Sequence, residues 1–241
     1  MKVLYGITIT LFFLFSLFSI DRGGVMGMEN QPPGSPDQGM ATPPDRSYLD
    51  IERGEYPGLI PLTSYSSEKA KTLAKKYRKE LIEVIKLLSK EYPGDQLDIQ
   101  GVGFLKSPKS GKNDARYLSV IMEVAKEYEK EKTSFEKRID DIFQRYIDPT
   151  AMMLFKYETI LKDPQVEGIA VCPNWMVRQS QKMSGYTPMS EGMFVSINKT
   201  TGRAIVQGKV PLSHLRKEAR IYGRQGDRVF AVAESGNGGK Q

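Results

Sequence analysis

The chain of 241 residues contains one cysteine, one histidine and one tryptophan. A single cysteine makes no internal disulfide, which excludes a small disulfide-stapled scaffold. One histidine and one cysteine cannot supply the usual zinc ligand sets. Neither a G-x-S-x-G elbow nor an H-E-x-x-H helix occurs, which excludes the hydrolases those signatures mark. The stretch "SPKSGKND", residues 107–114, holds a Gly-Lys pair without the upstream glycine of a phosphate loop, and Asn113 stands where that loop needs a hydroxyl. Nucleotide binding is rejected on that ground. No stretch has the Asp/Asn spacing of a calcium loop. The sequence therefore implies no metal and no cofactor.

What is present first points out of the cytoplasm. Lys2 precedes an uncharged apolar run from Val3 to Ile20, closed by Asp21 and Arg22, and the small residues Val25 and Gly27 precede Met28. This pattern predicts a signal peptide over residues 1–27, cleaved after Gly27, and a periplasmic or secreted protein. The same run reaches the lower length limit for spanning a bilayer, so an anchor through residues 3–20 is the alternative. The absence of cysteine near residue 28 excludes lipoprotein attachment. Residues 28–65 read as a linker and extended segment: "MENQPPGSPDQGMATPPDRS" has five prolines and almost no large apolar side chain, so it cannot offset the entropy of ordering. The folded domain is expected from Ser66 to residue 235, with residues 48–65 draped on its surface and a flexible tail over 236–241.

Within that domain the hydrophobic period alternates between helix and strand. Ala70, Leu73, Ala74, Tyr77, Leu81, Ile85, Leu88 and Tyr92 recur at three- and four-residue steps, predicting one amphipathic helix capped by Ser66 and stopped at Pro93-Gly94. "LDIQGVGFLKS" and "ARYLSVIMEVA" alternate as a hairpin, with Gly101 and Gly103 suited to a bulge or close backbone packing. A helix is expected from Ser134, restarted by Asp148 as N-cap with Pro149 behind it. The adjacent Asp140 and Asp141 diverge by about 100° on a helix and do not share a site. Then come a strand over 166–173, "GMFVSIN" and "RAIVQG" as a hairpin turned at "KTTG", a short helix near 211–222 and a last strand "RVFAVA". The fold class is α+β, a largely antiparallel sheet of about six strands with helices packed on one face.

Two features bear on function. "GIAVCPNW", residues 168–175, holds the only cysteine and the only tryptophan. Cys172 reads as a small buried residue at a strand end, with Pro173 ending the ladder and Trp175 covering the sheet edge. The rival reading is a thiol enzyme of unknown reaction in which His214 serves Cys172 as base. The second feature is charge. Residues 166–241 hold 11 Lys and Arg against 5 Asp and Glu, whereas residues 28–165 hold 22 against 23. Arg203, Lys209, Arg216, Lys217, Arg220, Arg224 and Arg228 make this last third basic and define a candidate binding surface. The export pattern argues against nucleic acid and for an acidic protein, an anionic envelope polymer or lipid headgroups. A non-catalytic interaction module is the expectation.

Overall fold

The structure, a computed structural model, describes residues 56–93, 96–107, 114–181, 185–225 and 228–232, excepting the side chains of 180–181, 185–187 and 228. The expected signal peptide, the proline-rich stretch, the loop over 108–113 and the tail lie outside the described residues.

The apolar row from Ala70 to Tyr92 forms two helices, α1 (Glu68–Lys76) and α2 (Arg78–Glu91), divided at Tyr77. Ser67, rather than Ser66, caps α1: its side chain accepts from the Ala70 amide at 3.4 Å. The break sets the Tyr77 hydroxyl to donate to Asp163 at 2.8 Å. Packing also reaches upstream of Ser66. Leu59 bridges the sheet edge at Val102, and Ile60 and Tyr65 are buried in the main core. The hairpin is β1 (Leu97–Lys106) and β2 (Arg116–Glu129), with a register shift between Ile99 and Gly101. A Cβ on Gly103 would meet the Tyr65 hydroxyl at 1.9 Å, so that position has room for glycine only.

The helix expected from Ser134 is α3 (Phe135–Ile142), and the Ser134 side chain caps it. Asp148, however, caps nothing: α3 runs through a π-turn (Phe143–Ile147) into α4 (Asp148–Leu154). Pro149 brings no amide to the ladder, and the Asp148 amide bonds the Phe143 carbonyl five residues back. A short α5 (Glu158–Leu161) completes the crossover, which returns the chain to lay β3 (Val166–Gln181) parallel to β2. A parallel neighbour requires such a crossover. β4 (Gly185–Asn198), α6 (Lys199–Val206), α7 (Leu215–Glu218), β5 (Arg220–Gln225) and β6 (Arg228–Ala231) follow.

The six strands lie in sequence order, and every adjacent pair except β2–β3 is antiparallel. The fold is thus α+β. Val102, Phe104, Leu118, Val120, Ile169, Val171, Val195 and Ile197 share the main core with the buried residues of the helices.

Three further expectations change. "RAIVQG" is not a strand: Lys199–Val206 is α6, because Gly202 lets the helix lie directly on the Phe155 ring, where a Cβ would come within 1.9 Å. The helix expected near 211–222 is a 3-10 turn (Leu212–His214) followed by α7, and Arg220 already belongs to β5. Pro173 does not end its strand, since β3 continues to Gln181. Its missing N–H shows instead as a gap in the β3–β4 partners between Val171 and Asn174, while pairing with β2 runs through it.

Candidate interaction surface

The strand containing Cys172 and Trp175 lies between β2 and β4, so its two faces meet different surroundings. On the helix face, Trp175 is fully buried and its indole N–H donates to Glu191 at 3.0 Å. Arg138 of α3 grips the same carboxylate with two donors, at 2.9 and 2.8 Å, and Gln225 of β5 adds a fourth at 3.1 Å. Neither charge reaches solvent, so each depends on the other to avoid an uncompensated buried ion. Trp175 is therefore an interior residue rather than an edge cover. No sequence motif marks Arg138 or Glu191; the one hint is Glu191 preceding the apolar run of β4.

On the opposite face, Cys172 packs with Tyr117, Ala170, Phe194 and Tyr222, none more than 9% exposed. Burial pushes the Cys172 thiol well up, the reverse of what a nucleophile needs. His214 is exposed, in the turn before α7, whose Leu215 is buried in the main core. No hydrogen bond or core cluster joins it to Cys172 among the described residues. The enzyme reading thus gains no support from the geometry.

The basic residues divide between two places. In one group, Arg203 on α6, Lys209 after it, and Arg216 and Lys217 on α7 belong to the helical turn. Arg203 donates to the Leu161 carbonyl at 3.4 Å. Arg216 pairs with Asp140 and lies over the Phe143 ring, so its charge is matched locally. In the other group, cross-strand pairing sets Arg220 beside Ser196 and Arg224 beside Gly192, on the sheet face that carries Cys172. Arg224 donates to Ser190 at 2.9 Å and to Asn174 at 3.3 Å. Arg220 lies close enough to Tyr117 to oppose the rise that burial imposes on that phenol. Arg228 is on β6, and its side chain lies outside the described residues. Among the described residues, Arg203, Lys209, Lys217 and Arg220 form no ion pair with a carboxylate.

The adjacent Asp140 and Asp141 do diverge. Asp140 faces Arg216, and Asp141 accepts from Lys126, Tyr128 and Arg145 at 2.6 to 2.7 Å. Both are paired rather than merely solvated. An open groove of about 400 Å³ beside Asp141 is lined by Lys126, Tyr128, Lys132 and Lys137, and its lysines 126 and 132 are already bound to Asp141 and Glu129.

Among the described residues, no helix is long and apolar enough to cross a membrane, and no cluster of three acidic, His or Cys side chains is placed to hold a metal ion. No protein-family model, no curated protein and no solved structure matches the chain.

Proposed function

We infer that the protein is an exported, non-catalytic interaction module of the cell envelope or extracellular space, which binds an acidic partner through its basic C-terminal third. The observation that carries this reading is the fate of Glu191. It is one of only five carboxylates in residues 166–241, and it is buried against Arg138 of the preceding third. It therefore neutralises nothing on the surface, and the exposed Lys209, Lys217 and Arg220 are left without a carboxylate among the described residues. A field of one sign attracts partners of the other.

Binding to an anionic polymer such as polyglutamate, or to anionic vesicles, tests the reading. It should weaken as ionic strength rises past the point where the screening length falls to about 8 Å. Absence of any salt-sensitive binding would return these residues to an ordinary solvated surface.

A further inference from the structure

The helical turn from α6 to α7 combines exposed aliphatic side chains with two exposed lysines, Lys209 and Lys217, that form no ion pair among the described residues. Gly202 and Ile205 of α6 are buried, and Leu215 anchors α7 in the same core. Within the turn, Val206 is 44% exposed and Leu212 is 40% exposed. Gly208 reverses the chain with a φ of +70°, and the Gly208 and Lys209 amides close on the carbonyls of Ile205 and Ala204, each at 2.9 Å. The two aliphatic residues are thus presented by a hydrogen-bonded turn. Near them in sequence are the exposed Lys209 and Lys217, the latter followed by the exposed Glu218.

We propose that this turn seats on an anionic phospholipid surface, with Val206 and Leu212 at the acyl boundary and Lys209 and Lys217 among the headgroup phosphates. The proposal rests on the acidic-partner reading and names the partner. A soluble acidic chain would need the cations alone. Exposed aliphatic side chains close in sequence to exposed lysines suit an interface with an apolar layer beneath an anionic one.

The buried Cys172 permits a test in the full chain, because a new surface cysteine is then the one that labels. Ser213→Cys, carrying an environment-sensitive fluorophore, should shift to the blue with phosphatidylglycerol-containing vesicles and not with phosphatidylcholine alone. The same dye at Ser89→Cys, exposed on α2, should not shift. Lys209→Gln and Lys217→Gln should each weaken the response about fivefold. Leu212→Ser should weaken it at every salt concentration while leaving the melting temperature unchanged. No shift at Ser213→Cys, equal shifts at both positions, or indifference to Leu212→Ser would overturn the lipid proposal. Salt-sensitive polyglutamate binding alongside any of those results would leave the broader acidic-partner reading standing. Loss of binding to both probes would remove that reading too.

Discussion

Asp141 illustrates how far a single residue departs from what its neighbours in sequence suggest. Burial raises its pKa, but hydrogen bonds from Lys126, Tyr128 and Arg145 outweigh that and hold the carboxyl at about 2. A carboxyl with a folded pKa below its unfolded value of about 3.9 stabilises the fold above that value, and the contribution is lost as pH falls through about 2. Asp141→Asn should cost about 1 kcal/mol at pH 7, and the gap in melting temperature from the wild type should close near pH 2. A gap that persists there would assign the loss to packing. Cys172 makes the opposite case. Its strand face was readable from alternation, and burial raises its thiol. Labelling of the native protein at neutral pH should be slow and should become fast on denaturation. Rapid native labelling would revive the thiol-enzyme reading.

At the scale of elements, β4 joins two layers through one acceptor. Glu191 receives Trp175, Arg138 and Gln225, which come from β3, α3 and β5. Arg138→Ala should destabilise the fold by about 3 to 5 kcal/mol, because Glu191 would be left buried and unpaired. Arg138→Met combined with Glu191→Leu should recover most of that in thermal melts. Failure of the double variant to recover would mean that the indole contact carries the cost. None of this network was legible in the sequence, since its donors lie 16 to 53 residues from Glu191 and long-range pairing leaves no local period. The hairpin of β1 and β2 was legible because its alternation is local. α6 departs from its expected strand for a related reason: Ile205 and Val206 have strand character, and what selects helix is the Phe155 ring beneath Gly202, a contact that only the fold creates. Gly202→Ala should therefore lower stability by about 1 to 3 kcal/mol, whereas Gly208, with no neighbour within 4 Å, tests only its left-handed backbone.

At the scale of the molecule, the charge bias that the sequence displays is not one surface. Arg216 and Arg220, four residues apart, fall on either side of a helix end: the first is paired with Asp140 on the helical layer, and the second lies in β5 on the other face of the sheet. Composition gives the sign of the charge but not its layer, because the layer depends on where α7 stops. A contact and a long-range field therefore predict different outcomes. Reversal at Lys209 and Lys217 removes charge from the helical turn, and Arg220→Glu removes it from the sheet face, where Ser196 and Tyr117 are its neighbours. If attraction is only the field of the whole molecule, each variant should slow association in proportion to the charge it removes, the double reversal about twice as much as Arg220→Glu, and leave dissociation unchanged. If the helical turn makes the contact, reversal at Lys209 and Lys217 should raise the dissociation rate, while Arg220→Glu alters only the association rate and its salt dependence. Stopped-flow binding to anionic vesicles at two ionic strengths separates these outcomes. A faster dissociation for Arg220→Glu would move the contact to the sheet face.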